Sequence, residues 1–364
     1  MKDTVEIVEP TLKDETGHCY SFLSSLCKVS EKVNFNLWIS RDADLEFSGQ
    51  YVNINRYFYR RIRRLQSYLL YRKLLAGRNK IFLPTAGIID LIMLDWASKG
   101  VISTGKVYLY FHWVNITEKK RARLKRIALH QPNLMILGPT ASVVDIFLEA
   151  GFVNSRIVPY PISTRESDIR VTENAFTRLL YAGAARQEKG ITAVVDLIEY
   201  MNTAGLEFPI SVQNSADHHG NYCAATKSDI ERLINIHYPH LQLIPETLSS
   251  ESYTRLFYGA ISIQLYDASK FQDRISGVTL DALSAGSPIV ATAGTWTAKM
   301  VERFNAGIII DGLQPGKIVA AIQEIISKYV EYSKNAHNGG LKLQQENSAE
   351  YLFDTLIDAK THQS

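Results

Sequence analysis

The sequence predicts an α/β protein built as two doubly wound parallel sheets, one in each half of the chain. Three observations lead there. Short apolar and β-branched runs alternate with longer amphipathic segments, the rhythm of strands joined by crossover helices. That rhythm stops at a polar, irregular stretch and then starts again. The chain has 364 residues, enough for two domains at roughly 100–200 residues each. Hydrophobic residues make up 46% and charged residues 21%, which excludes a disordered, collagen-like or coiled-coil chain.

In order, Val5–Val8 reads as a strand, Tyr20–Val29 as a helix and Phe35–Ile39 as a second strand. A long basic, aromatic helix is expected over about Asn55–Leu75. Strands at Ile81–Leu83, Val107–Phe111 and Leu134–Leu137 alternate with helices at Ile88–Ser98, Lys119–Leu129 and Val143–Ala150. After Arg156–Tyr160 the rhythm pauses, and Ser163–Asn174 suits a linker. In the second half the expected strands are Arg178–Tyr181, Pro209–Val212, Leu241–Ile244, Ile261–Leu265, Ile289–Ala291 and Gly307–Ile310. The helices between them are Thr192–Tyr200, Lys227–Ile236, Glu251–Tyr258, Leu280–Ala285 and Ala298–Phe304, and Ile318–Val330 and Glu350–Asp358 close the chain. The domains expected are 1–160, a linker 161–176, a second domain 177–345, and a last helix in 346–364 packing back on the first.

Three cysteines, Cys19, Cys27 and Cys223, are too few for a disulfide framework and suggest a reducing compartment. The N-terminus has no apolar signal segment, and the longest apolar stretch, Ile81–Trp96, is broken by Asp90 and Asp95. A spanning helix needs about 20 apolar residues, so the expectation is a cytoplasmic chain. Charge is divided: residues 1–160 carry 23 Lys+Arg against 14 Asp+Glu, the remainder 17 against 23.

The chemistry concentrates in Phe271–Trp296. Ser276-Gly277-Val278 ends a loop and Thr279 begins a helix, whose free N–H groups make an anion site. Gly277 lets a phosphate approach the backbone, and Asp281 can accept from sugar hydroxyls. A second segment, Leu179–Ile191, runs from a buried strand into Gly183, then Arg186, Lys189 and Gly190, two cations suited to a diphosphate. His112 stands at the end of an apolar strand. Asp14, Glu15, Gly17 and His18 sit in a polar loop after the first strand, where a carboxylate or imidazole suits general-base work.

The first of these segments resembles the donor-binding motif of group-1 nucleotide-sugar glycosyltransferases of GT-B fold. Two acidic residues, here Asp273 and Asp281, precede a helix end Ala282-x-x-x-Gly286-x-Pro288. The family usually has Glu at both acidic positions. The Lys189 segment is similar to the family's G-R-x-x-x-x-K-G loop, with Ala184 at the usual Arg position and Arg186 two residues on. The resemblance implies two domains facing across a cleft, the first binding acceptor and the second donor. It implies that Ser276, Gly277, Val278, Thr279, Asp281 and Gly183 bind the donor, that Lys189 and Arg186 stabilise the leaving diphosphate, that Asp273 and His112 lie by the donor sugar, and that Asp14, Glu15, Gly17 and His18 shape the acceptor site.

The activity so implied is transfer of a sugar from a nucleotide-diphosphate sugar to a lipid-linked or polysaccharide acceptor, with retention and without a metal cofactor. A nucleotide-sugar epimerase of the same fold and a non-catalytic nucleotide-sugar-binding protein are the alternatives. An epimerase needs no basic face, and a binding protein shows no turnover. Basic stretches at Tyr57–Lys80 and Glu118–Arg126 fit an anionic membrane surface, and no nucleic-acid-binding motif accompanies them. The protein would then be peripheral on the inner face of the cytoplasmic membrane.

Overall fold

A computed structural model of the chain describes residues 4–15, 17–29, 33–47, 51–162, 175–214, 222–246 and 248–357. The chain divides into two compact units, Met1–Arg165 with Gln344–Ser364, and Glu166–Leu343.

The first unit runs β1 (Thr4–Glu9), α1 (Gly17–Lys28), β2 (Asn34–Ser40), β3 (Val52–Phe58), α2 (Arg63–Ala76), β4 (Lys80–Leu83), α3 (Ile88–Ala97), β5 (Val107–Tyr110), α4 (Glu118–His130), β6 (Met135–Gly138), α5 (Ala141–Ala150) and β7 (Ser155–Ile157). Its seven strands lie in the order β3-β2-β1-β4-β5-β6-β7, each pair parallel. Strand alternation sends Val107 and Leu109 to the face packed by α2–α5, and Tyr108 and Tyr110 to the face packed by α1. Both faces are therefore covered, as an all-parallel sheet requires.

The second unit runs β8 (Arg178–Tyr181), a 3₁₀ turn (Gln187–Lys189), α6 (Ile191–Thr203), β9 (Ile210–Gln213), α7 (Ala224–Asn235), β10 (Leu241–Ile244), α8 (Ser250–Arg255), β11 (Ala260–Gln264), α9 (Ala268–Phe271), α10 (Gly277–Ser284), β12 (Ile289–Thr292), α11 (Trp296–Phe304), β13 (Gly307–Ile310), α12 (Pro315–Ser327) and α13 (Tyr329–Glu346). Its six strands lie in the order β10-β9-β8-β11-β12-β13, again parallel. One core joins α6 and α12 to the sheet through Val194, Ile198, Ile318 and Ile322. Both sheets thus have the doubly wound order in which strand direction of progress reverses once, between β1 and β4 and between β8 and β11.

The last helix, α14 (Ala349–Ile357), packs on α1 in the first unit. Leu352 and Leu356 are fully buried there, and Phe353 meets Phe35 edge-on. The Lys80 ammonium donates to the carbonyls of Leu356 and Ile357, each 2.7 Å away. A cation at the end of a helix satisfies its last carbonyls and its dipole.

Two expectations about elements are corrected. Asn55–Leu75 is not one helix: Val52–Phe58 is an edge strand paired with β2, and the helix starts at Arg63. As an edge strand it is mostly half-exposed, so its pattern lacks the apolar alternation of an inner strand. The helix ending near Val330 is really two, and α13 then runs on to Glu346. Its Gly339-Gly340 pair reads as a breaker but serves close packing. A Cβ at Gly339 would lie 2.6 Å from the Phe304 ring, and one at Gly340 2.7 Å from the Leu283 carbonyl. Among the described residues no helix is long and apolar enough to cross a membrane. The expected linker core, 163–174, lies outside the described residues.

Candidate functional site

In a doubly wound sheet a ligand binds beyond the carboxyl ends of the strands at the reversal point. In the second unit that point is the end of β8 beside the end of β11, and Lys189 sits there. Two glycines put it in place. Gly190 has φ +80°, and a Cβ on it would come within 2.1 Å of the Leu265 carbonyl oxygen, so the 3₁₀ turn lies directly on the chain leaving β11. Gly183 has φ +89°, and a Cβ there would lie 2.9 Å from Lys189 Nζ and 3.1 Å from Val278 Cγ2. The missing side chain is the space the ammonium uses. Gly183 N–H donates to Gln213 Oε1 at 2.7 Å, which fixes the end of β8 to β9. The far side of the turn is tied to α7: Gln187 Nε2 donates to Asp229 Oδ2 at 2.7 Å, and the adjoining Thr192 hydroxyl to the same oxygen at 2.5 Å.

The charges around Lys189 do not cancel. Arg186 Nη1 is 3.8 Å and Arg274 Nη1 3.2 Å from the same Glu188 Oε1, so two guanidinium groups share one carboxylate. Arg186 Nε is buried and has no hydrogen-bond partner among the described residues. Arg274 also lies over the Phe271 ring, 4.8 Å from its centre, and Lys189 Nζ is 5.9 Å from the centre of the Tyr266 ring. Burial, then Arg186 and Arg274, push the Lys189 ammonium down to about 8, against the pull of Glu188 and Asp281. Such an excess of half-buried positive charge favours the arrival of an anion.

The start of α10 adds dipoles to the same place. Ser276 caps it, its Oγ accepting from Thr279 N–H at 3.4 Å and lying 3.2 Å from the Tyr266 hydroxyl. With Thr279 N–H taken, the N–H groups of Gly277 and Val278 remain as the donors of the first turn. Gly277 is exposed, and nothing lies within 4 Å of where its Cβ would be. The helix opens at Gly277, two residues before the expected start. The Thr279 side chain does not face this space: it is fully buried, donating to Gln264 Oε1 at 2.6 Å and lying 2.9 Å from the Thr297 hydroxyl. It holds α10 to β11 and α11. Asp281, one turn further on, is half-buried and acts electrostatically on Lys189 and Tyr266. Asp273 is half-exposed before α10 and accepts from Lys299 Nζ at 2.7 Å.

The structure thus gathers Gly183, Arg186, Lys189, Ser276, Gly277, Val278 and Asp281 at one reversal point. It adds Arg274 and Glu188, which sequence reasoning missed. Arg274 follows Asp273 directly in the motif, and its charge was the available signal.

In the first unit the reversal point is held by a different residue from those expected. Glu9 ends β1 with no exposed surface. Its Oε1 accepts from Thr11 N–H at 3.3 Å and from the Thr11 hydroxyl at 2.5 Å, and its Oε2 accepts from the Thr85 hydroxyl beyond β4. Burial pushes its carboxyl up, and the two threonines pull it back. Asp90 lies close enough to raise it further. Asp90 accepts from the Tyr71 hydroxyl and from Gly87 N–H, both at 2.8 Å, and burial raises it too. The signal for Glu9 was a carboxylate in phase with the buried positions of an apolar strand. Asp14 and Glu15 are exposed, and Glu15 Oε1 accepts from Glu46 N–H at 3.3 Å. Gly17 and His18 open α1, and their side chains lie outside the described residues. His112 Nε2 donates to the Pro84 carbonyl at 2.8 Å, the only role a carbonyl partner allows. The rings of Phe22, Tyr110 and Tyr160 stand 5.3–5.6 Å from its own.

Among the described residues no three His, Cys, Asp or Glu side chains converge as metal ligands. No family model matches the chain, and no curated protein matches it in sequence. Solved structures match it over its whole length. A glycosyltransferase from Rickettsia africae is 10% identical over 99% of this chain and 100% of its own, with a TM-score of 0.70. Sucrose-phosphate synthase from Thermosynechococcus elongatus is 15% identical over 99% and 100%, TM-score 0.68. The Anabaena protein Alr3699/HepE, solved in complex with UDP-glucose, is 12% identical over 98% of each chain, TM-score 0.67. The fold of this chain is therefore that of the GT-B glycosyltransferases.

Proposed function

We propose that this protein is a glycosyltransferase that moves a sugar, with retention at the anomeric carbon, from a nucleotide-diphosphate sugar to a lipid-linked or polysaccharide acceptor. One observation carries the donor half of that reading. Lys189, Arg186 and Arg274 converge beside the open first turn of α10, with one shared carboxylate and an unpartnered Arg186 Nε. A diphosphate supplies the missing negative charge and accepts those donors. As the bond to the sugar breaks, charge grows on the leaving phosphate, and groups already aimed there stabilise it without reorganising. Asp281, in the second turn of α10, is placed to accept from donor hydroxyls. In the first unit the half-buried Asp90, held at the reversal point by the Tyr71 hydroxyl, is the group suited to an acceptor hydroxyl, and the fully buried Glu9 ties the ends of β1 and β4 together beneath it. HepE was solved with UDP-glucose, which makes UDP-sugars the first donors to try.

No metal enters this reading, because protein cations and helix N–H groups do the work of charge compensation. Transfer and nucleotide binding are then expected to survive EDTA unchanged. A requirement for added magnesium or manganese would contradict the assignment of that work to Lys189, Arg186 and Arg274.

The reading also fixes the sign of a pH dependence. Lys189 must be charged to hold the diphosphate, and its ammonium loses the proton near pH 8 in the free protein. Nucleotide affinity is expected to be constant below about pH 7.5 and to fall above pH 8, by up to about tenfold per unit. Calorimetric titration from pH 7 to pH 9.5 measures it, and Lys189→Met is expected to bind weakly with a flat profile. The activity itself is tested by incubating the protein with nucleotide sugars and lipid extract. Release of nucleoside diphosphate that depends on the extract supports transfer, and epimerised donor without release supports the epimerase reading.

A further inference from the structure

Helix α2 is amphipathic twice over. Its core face is Ser67, Leu70, Tyr71 and Leu74. On the opposite side Leu65 and Leu69 are 59% and 49% exposed, and Ile62 and Tyr59 ahead of them 50% and 45%. Positions 62, 65 and 69 share one helical face. A surface helix normally has one apolar stripe, turned to the core, and polar residues outside. A second stripe of large side chains in water has no use within the unit. Cations surround it: Arg60, Arg61, Arg63 and Arg64 at its start, Arg72 and Lys73 near its end, all exposed. Among the described residues none of the six has an ion-pair partner.

We infer that the outer face of α2 docks on an anionic lipid bilayer. Ile62, Leu65 and Leu69 enter the boundary between headgroups and acyl chains, and the arginines lie among the lipid phosphates. The charge pattern selects this occupant. Six like charges with no ion pair among the described residues, one of them, Arg63, felt by the Asp90 carboxylate, complement a surface that is uniformly negative and planar. Nucleic acid would also attract them, but its backbone offers nothing that buries a leucine stripe. The position is apt as well. Since α2 follows parallel strand β3, its first turn stands at the carboxyl edge of the sheet that carries Glu9 and Thr85. A membrane-embedded acceptor would reach that edge from the docked face. This placement rests on the proposed activity, but the docking itself does not.

The test is flotation with vesicles of phosphatidylcholine alone and of phosphatidylcholine mixed with phosphatidylglycerol. The protein is expected to float with the mixed vesicles and stay down with the neutral ones. Changing Arg60, Arg61, Arg63 and Arg64 together to Gln is expected to lower partitioning by about two to three orders of magnitude. The double variant Leu65→Gln, Leu69→Gln keeps every charge and is expected to lose roughly tenfold, which adsorption by charge alone would not show. All six side chains are exposed, and retention of the nucleotide-induced thermal shift in both variants confirms that they fold. No flotation, or flotation unchanged in either variant, overturns the proposal. So does retardation of mixed-sequence RNA by a protein that does not float. Flotation without any nucleotide response would leave the docking face standing and remove the glycosyltransferase reading.

Discussion

Lys189→Met is expected to lower kcat/KM by about 10²–10³ without lowering the unfolding temperature. The two halves of this expectation come from one arrangement. In the catalytic half, the ammonium at the β8–β11 reversal point, between two arginines, is the group best placed to take up leaving-group charge. In the stability half, its folded-state pKa of about 8 lies below the ordinary lysine value of 10.5. The charged form is therefore disfavoured by folding, and below pH 8 the protonated side chain costs stability. Stability from this group rises as pH goes from about 8 towards 10.5. Replacing it with an uncharged chain of similar length removes the cost and keeps the packing against Tyr266. Initial rates with saturating acceptor and a thermal melt at pH 7 measure both. A structural lysine would give the reverse, a lower melting temperature with near-normal turnover.

Gly190→Ala is expected to cost about 3–5 kcal/mol of stability, with a fall of order 10 °C in the unfolding temperature. Two effects add. A left-handed conformation is strained for alanine, by about 1–3 kcal/mol. The new methyl would also lie 2.1 Å from the Leu265 carbonyl oxygen and 2.9 Å from its carbonyl carbon. Neither atom is the loose end of a side chain, so the turn must lift off β11 and carry Lys189 with it. Gly205→Ala separates the effects, because Gly205 has φ +66° with nothing within 4 Å of the added carbon. It is expected to lose only the conformational share. Equal melting temperatures for the two variants would show that the turn does not pack on β11 as closely as described.

Much of the fold was legible because an all-parallel sheet writes itself as apolar runs separated by helical ones. Val107–Tyr110 and Ile289–Thr292 are such runs, buried on both faces. β3 was not legible, because an edge strand half in water carries asparagines and an arginine where an inner strand carries valine. α13 was hidden by Gly339 and Gly340, whose need is tertiary: they admit Phe304 and the end of α10. At the site, Lys189 and Gly277–Asp281 stood out because glycine, cation and helix start coincide at fixed spacing. Glu9, Glu188 and Arg274 did not, since a burial phase and a shared carboxylate are properties of the folded neighbourhood. Thr279 shows the converse. Its place in the first turn suggested a ligand contact, and the structure gives its hydroxyl to Gln264 and Thr297 instead.

The central claim is that the α10 start with Lys189, Arg186 and Arg274 forms a diphosphate site. Its most direct test is a thermal-shift titration of the purified protein with UDP, GDP, ADP and their common sugars, run in parallel on Lys189→Met and Asp281→Ala. A ligand that binds only the native state raises stability by about 2.7 kcal/mol at a hundred times its Kd. A rise is expected with one nucleoside diphosphate, abolished by Lys189→Met and weakened by Asp281→Ala. A rise of equal size in Lys189→Met, or none with any nucleotide, would contradict it.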